Sequence, residues 1–334
     1  MKLLIIIGTR PQYIKIKPFY DYIKNNNIDS VLVDTTQHYS FNVSSVFINE
    51  FNLEINYYLK TNNINSISFI SDCIVKINEV IGGYNPDIII VIGDTNSTLA
   101  GALVARKKGI KLAHLEAVIR CGDKNRPEEI NRILTDELSD LHFTSRREDN
   151  KNVSNPFYVG DLEYTLLNWL EEQNYFGEIS YEDFLLMTIH RDENTNVERL
   201  TGIFDFCGKL KDRIIFPIHH RTKKIVDDYN ISIPDNIEVC SPMSYKEMTN
   251  LMSKCGGLIS DSGGIIKTSP YFGKKCLIPL EITEWIEVIE KGYGGYGQDI
   301  NFFKEKKIKR DKDFYYVKNN CKLIIDKLNE LFKS

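Results

Sequence analysis

A chain of 334 residues is longer than one ordinary domain and fits two of roughly 150 to 170 residues, each able to bury a core. Hydrophobic residues make up 42% and charged residues 26%, the formal net charge is -4, and no acidic or basic tail is present, which argues against nucleic acid or a membrane surface as partner. Seven scattered cysteines without CxxC or metal-finger spacing read as reduced thiols, and no apolar run approaches the roughly 20 residues of a membrane span, so the expectation is a cytoplasmic protein with no metal site.

Residues 2–7 form a continuous apolar, β-branched run that stops at Gly8, as a fully buried parallel strand does. Gly8 lets the chain turn, Pro11 suits a first helical position, and the loop between them is expected to aim backbone N–H groups, Arg10 and Lys15 at an anion. Pro18 is expected to kink that helix early. A strand over 30–34 leads to Thr35, Thr36, Gln37 and His38, residues 63–82 read as a helix, and the strand over 87–92 ends in Gly93 and Asp94. A small-residue helix follows over 99–106, then a strand over 111–115 that ends in Glu116, and a strand over 141–144. Strand, polar loop and helix alternate throughout, which predicts an α/β fold with a parallel, doubly wound sheet. Arg10, Gln37 with His38, Asp94 and Glu116 would then stand at four strand ends on one edge of that sheet.

The densest chemistry lies between Leu112 and Asp136, where His114, Glu116, Arg120, Asp123, Glu128, Glu129, Asn131 and Arg132 follow one apolar run. Pro127 can open a helix here, placing Glu128 in its first turn and Glu116 at a strand's carboxyl end. A short strand ends near Gly160, and a helix over 161–172 leads to a second lobe. There the pattern restarts with strands over 183–188, 214–218, 237–240, 257–260 and 275–278, with His190 to Asn194, His219 to Thr222 and Asp261 to Ile265 following three of them. Gly263 and Gly264 allow close backbone approach, and a helix starting there can hold a diphosphate on its N–H groups. Residues 316–332 carry apolar side chains at helical spacing and read as packing. Two facing lobes with reactive strand ends imply a cleft, and anion-binding features in both suit a ligand linked through a nucleoside diphosphate.

Taken together, GTRPQYIK (8–15), QH (37–38), GDTNST (93–98), HLEA (114–117), RPEEINRILTD (126–136), VGD (159–161), HRDEN (190–194), PIHHRT (217–222), DSGGI (261–265) and TEW (283–285) resemble the non-hydrolysing UDP-N-acetylglucosamine 2-epimerases and their relatives acting on related UDP-amino sugars. The resemblance covers nearly the whole chain in order. It implies two Rossmann-like lobes of the glycosyltransferase-B kind, 1–162 plus a returning helix at 316–334, and a nucleotide-binding lobe at 163–315. It also implies a homodimer acting on a nucleotide sugar for surface-polysaccharide precursors, without a cofactor. In the family reaction the C2 proton is removed as the nucleoside diphosphate leaves C1, and the resulting glycal takes the diphosphate back with a proton on the opposite face.

Carried over by position, the resemblance makes Asp94, Glu116, Glu128 and His190 the acid/base set, and Arg10, Lys15, Ser262, Gly263 and Gly264 contacts to the diphosphate. His219 and Glu284 are further substrate-side positions, and Arg120 and Arg132 either balance the carboxylates or form structural ion pairs. Gln37, His38 and His219 match positions that hold an activating second sugar nucleotide in some members, although no completing arginine is evident over 60–80. Departures fall on the nucleotide side. Ile266, Lys267 and Thr268 stand where the family has a Gln and a ribose-holding Glu, Leu280 followed by Glu281 replaces an arginine, and Val118 stands where the family keeps glycine. The sequence therefore predicts retained proton chemistry with a differently held nucleotide or amino sugar. A hydrolysing 2-epimerase, a transferase of the same fold and a non-catalytic sugar-nucleotide binder are the competing readings, and Pro11 favours the non-hydrolysing branch.

Overall fold

Apolar, β-branched runs become the centres of two parallel sheets in the computed structural model, which describes residues 1–37, 41–62, 64–151, 153–177, 183–280, 283–304 and 308–333. His38 and Glu281 lie outside the described residues. The chain divides into two units, Met1–Leu167 with Tyr315–Ser334, and Asn168–Phe314.

In the first unit the order is β1 (Leu3–Ile7), α1 (Arg10–Asn25), β2 (Ser30–Asp34), α2 (Phe41–Glu50), β3 (Tyr57–Tyr58), α3 (Ser66–Tyr84), β4 (Ile88–Ile92), α4 (Asn96–Lys108), β5 (Lys111–Ala117), α5 (Pro127–Leu138), β6 (Leu141–Thr144) and β7 (Pro156–Tyr158). Helix α6 (Leu162–Glu172) leads into the second unit, which holds β8 (Phe184–Thr188), α7 (Val197–Gly208), β9 (Arg213–Pro217), α8 (His220–Asp228), β10 (Ile237–Cys240), α9 (Tyr245–Lys254), β11 (Gly257–Ser260), α10 (Gly263–Phe272), β12 (Cys276–Ile278), α11 (Ile286–Glu290) and β13 (Gly294–Tyr296). The last helix, α12 (Asn320–Lys333), belongs to the first unit.

The sheets run β3-β2-β1-β4-β5-β6-β7 and β10-β9-β8-β11-β12-β13, and every pairing is parallel. Both begin with the doubly wound Rossmann order, so each reverses direction next to its first strand, and ligands of open α/β sheets bind at the strand ends there. In the first unit that point lies between β1 and β4, and in the second between β8 and β11.

The predicted α/β, doubly wound architecture is therefore present twice. Leu4, Ile6, Ile89 and Val91 pack against Phe69, Cys73 and Ile77 of α3 and the small residues of α4. In the second unit Leu185, Met187, Ile214 and Phe216 pack against Leu200, Phe204 and Cys207 of α7. Each such large side chain contributes roughly 1.5–3 kcal/mol on burial. All seven cysteines are free, and burial pushes the Cys73, Cys207 and Cys321 thiols up to about 12, which suits packing rather than reactivity.

Pro18 lies inside α1, which runs from Arg10 to Asn25 with Tyr13, Ile14, Ile16, Phe19, Tyr20 and Ile23 buried on either side of it. One expectation changes. The N–H groups of Gly8 and Thr9 do not await an anion, since both donate to Gln12 Oε1 at 2.8 and 3.1 Å, closing a capping box.

Candidate active site

At the carboxyl end of β5 the backbone leaves the β region. Glu116 has φ +59° and Val118 φ +70°, and the pairing of β5 with β6 shifts register between Leu115 and Ala117. This bulge turns Glu116 out of the alternation of the strand. Its carboxylate meets Lys15 Nζ of α1 at 2.6 Å, with both side chains largely buried. A small pocket opens beside the pair, lined by Lys15, Glu116, Ser145 and Asp161 among others.

Asp94 follows β4 and pairs with Arg132 of α5, whose other terminal nitrogen donates to Ile119 O at 3.2 Å. Arg120 pairs with the buried Asp136 at 2.7 Å. Asp136 also meets His114 Nδ1 at 2.6 Å, while His114 Nε2 lies 2.7 Å from Gly93 O. Burial would push the Asp136 carboxyl up, but His114 and Arg120 outweigh it and hold the group below the usual carboxylate range.

Arg10 is half-buried, 4.6 Å from the centre of the Phe47 ring. Pro127 opens α5 as expected, and Glu128 is exposed in its first turn. The neighbouring Glu129 is buried and accepts the N–H groups of Cys121 and Gly122 at 3.0 and 3.1 Å, tying the loop that carries Arg120 to the helix.

In the second unit, the strand ends of β8 and β11 meet at Asp261. This fully buried carboxylate accepts the N–H groups of His190 and Arg191 at 3.1 and 3.0 Å and the Asn194 amide at 3.1 Å, and it lies 3.1 Å from His190 Nδ1. Burial would raise Asp261, and the hydrogen bonds from His190, Asn194 and Arg191 overcome it and hold the carboxyl below its ordinary value. With Nδ1–H donated to Asp261, His190 presents Nε2 for proton transfer. The His219 ring is 5.9 Å from that of His190, exposed, and accepts the Arg221 N–H at 3.3 Å.

Ser262 is the N-cap of α10, and Gly263 and Gly264 are its first two residues. A β-carbon on Gly263 would stand 3.1 Å from Trp285 Nε1 and 3.5 Å from an Arg191 nitrogen, so glycine is what lets these groups close on the helix start. Glu284 reaches Arg191 at 3.5 Å. The departures beyond Gly264 turn inward: Ile266 is fully buried, Lys267 lies 5.6 Å from the Trp285 ring centre, and the Thr268 hydroxyl donates to Gly264 O at 2.7 Å. Leu280 is buried as well.

Each unit thus gathers its own set. The first pairs Lys15 with Glu116, Asp94 with Arg132, and Asp136 with both Arg120 and His114; the second brings together His190, Ser262, Gly263 and Glu284 around Asp261 and Arg191. Reading the sequence assigned no part to Asp261 or Asp136. A carboxylate directly after the apolar strand over 257–260, too close to the sheet to be solvated, was the available signal for the first.

Comparison with known proteins agrees with this chemistry. A family model described as UDP-N-acetylglucosamine 2-epimerase matches residues 21–294. A UDP-N-acetylglucosamine 2-epimerase homolog of Methanococcus maripaludis is 36% identical over 88% of this chain and 87% of its own length. The UDP-2,3-diacetamido-2,3-dideoxy-D-glucuronate 2-epimerase of Pseudomonas aeruginosa is 33% identical over 87% of each. The crystal structure of Methanocaldococcus jannaschii UDP-GlcNAc 2-epimerase in complex with UDP-GlcNAc and UDP superposes with a TM-score of 0.86 at 31% identity, covering 99% of this chain and 100% of that one. By sequence over most of its length and by fold over nearly all of it, this chain belongs to the UDP-N-acetylglucosamine 2-epimerase family.

Proposed function

We propose that the protein inverts C2 of a UDP-N-acetylglucosamine-like amino sugar by eliminating and re-adding the nucleoside diphosphate. The observation that carries this reading is the Glu116–Lys15 pair at a bulged strand end, with Asp94 and Arg132 at the next one, in a chain of the 2-epimerase family. A base takes the C2 proton, the C1–O bond breaks with its electron pair leaving on the diphosphate, and a C1–C2 double bond forms. Return of a proton to the other face of C2 and of the diphosphate to C1 completes the inversion. Asp94, Glu116, Glu128 and His190 are the acid/base set, and Asp261 sets the tautomer of His190. Arg10, Lys15, Ser262, Gly263 and Gly264 receive the diphosphate, with cations and N–H groups offsetting its charge as it leaves.

Thr268 spends its hydroxyl on its own helix and Ile266 is buried, so ribose is held by groups other than a carboxylate at these positions. The sugar or the base accordingly differs from UDP-N-acetylglucosamine in how it is gripped, and the Pseudomonas relative, which bears the name of a diacetamido-glucuronate epimerase, offers one such sugar class for the panel below. The enzyme works in the cytoplasm as a homodimer in making surface-polysaccharide precursors; no helix among the described residues is long and apolar enough to cross a membrane.

Turnover of a panel of nucleotide sugars in deuterated water tests the reading. Deuterium at C2 of both epimers is expected. Free sugar with free nucleotide identifies hydrolysis instead, and tight binding without deuterium uptake across the panel refutes the enzyme.

A further inference from the structure

Val118 is buried at 1% exposure with φ +70°, a region that costs an L-residue roughly five- to thirtyfold in population. Two residues earlier Glu116 pays a similar penalty at φ +59°, whereas most other non-glycine residues with positive φ are asparagines. Something outside the loop must hold this conformation, and one side chain touches it from before the bend to after it. Asp136 of α5 lies 2.6 Å from His114 Nδ1, accepts the Val118 N–H at 3.1 Å and pairs with Arg120 at 2.7 Å. His114 is in turn anchored to Gly93 O at 2.7 Å.

We infer that Asp136 is a positioning residue that forces the left-handed bend at residues 116–118 and so aims the Glu116 carboxylate at Lys15 and the substrate. The inference rests on Glu116 acting in the proposed reaction. Relaxed into the β region, residue 116 would rejoin the strand's alternation and its carboxylate would leave Lys15.

Glycine tolerates positive φ and alanine does not, and the two differ by one methyl group, so comparing Val118→Gly with Val118→Ala reads backbone strain apart from the cavity each leaves. Asp136→Asn is expected to lower kcat about tenfold or more while KM stays within about threefold, because aim rather than binding is lost. In that background the Val118→Gly double variant should be at least about threefold faster than the Val118→Ala double variant. Equal rates in the two double variants overturn the proposal, as does an Asp136→Asn kcat within about threefold of the parent.

Thermal melting gives a second reading. With Asp136 present the Val118→Gly variant should melt higher than Val118→Ala, and with Asp136→Asn this advantage should shrink or reverse; an advantage that is absent at the start, or unchanged at the end, refutes the hold. Should Asp136→Asn fail to fold, Asp136→Glu keeps the charge on a longer arm and the same comparison is made there. If the parent turns over no nucleotide sugar, the catalytic reading of Glu116 fails, while the melting comparison still decides whether Asp136 imposes the bend.

Discussion

Replacing Asp261 with Asn removes one acceptor from a carboxylate that four donors surround: His190 N, Arg191 N, Asn194 Nδ2 and His190 Nδ1, all between 3.0 and 3.1 Å. If the new amide takes the place of Oδ2, the Arg191 and Asn194 donors both face N–H groups; if it takes the place of Oδ1, the His190 ring does, and in either case the His190 backbone N–H, which reaches both oxygens at 3.1 Å, keeps one acceptor. The second arrangement is cheaper, and it forces Nδ1 to accept, moving the ring proton to Nε2. Charge-assisted hydrogen bonds become neutral ones in a fully buried site, a cost of about 2 kcal/mol, equivalent to a fall of roughly 4–8 °C in the melting temperature of a domain this size. The wrong tautomer is the larger effect on rate. With His190 as an acid/base group, kcat should fall on the order of 100-fold or more with little change in KM. Steady-state kinetics with C2 deuterium uptake, alongside melting, measures both. A variant whose kcat stays within about threefold of the parent while His190→Ala is nearly inactive would falsify the orienting role.

Three further outcomes follow from the geometry. Glu128→Gln should lower kcat about 100-fold with a melting temperature within about 1 °C of the parent because the side chain is exposed, whereas Glu129→Gln leaves one buried loop N–H without its acceptor and should cost about 1–3 kcal/mol by denaturant titration; loss of stability in the first variant would contradict the assignment. Glu171 is held at about 2 against an ordinary 4.5, since burial would raise it but hydrogen bonds from Arg310, Lys312 and Tyr271 outweigh that. Its folded value is depressed, so its contribution is complete above pH 4.5 and disappears as pH falls toward 2; Glu171→Gln should be about 1–2 kcal/mol less stable at neutral pH after solvent screening, with the gap closing across that window. Gly160→Ala places a β-carbon 2.5 Å from Tyr315 O at φ +74° and should cost about 2–4 kcal/mol by chemical unfolding, a neutral result meaning that this crossing of the chain can yield.

Much of the framework was legible because buried parallel strands are written as uninterrupted apolar runs. The strands over 30–34, 141–144, 237–240 and 257–260 fall on the residues read from sequence. Tyr57–Tyr58 and Gly294–Tyr296 were not foreseen, being edge strands of two and three residues that lack such a run. Helix α2 was missed too.

At the site, the strand-end positions of Asp94, Glu116 and His190 and the helix opening at Pro127 could be read directly. What could not be read is who holds whom. Arg120, expected to balance carboxylates or to form a structural ion pair, has Asp136, 16 positions along the chain, as its partner, and Gln12 takes the N–H groups expected to await an anion. Such pairings depend on side-chain reach across a helix and a loop, for which a linear pattern has no period. Val118 was noted only as a departure; its φ of +70° shows that the chain keeps the backbone shape a glycine would give and imposes it on a β-branched residue.

The return of α12 to the first unit has a kinetic side. Asn320 donates to Thr165 at 2.8 Å, Asp161 N–H to Tyr315 O at 2.7 Å, and Ile324 and Leu328 are fully buried. During synthesis all of Asn168–Phe314 leaves the ribosome before these contacts can form. At about 5–20 residues per second, the first unit waits roughly 7–30 seconds with an apolar surface uncovered while its neighbour is made and can fold. The second unit is then the earlier one to mature, and the first, which carries Glu116 and Asp94, closes its core last.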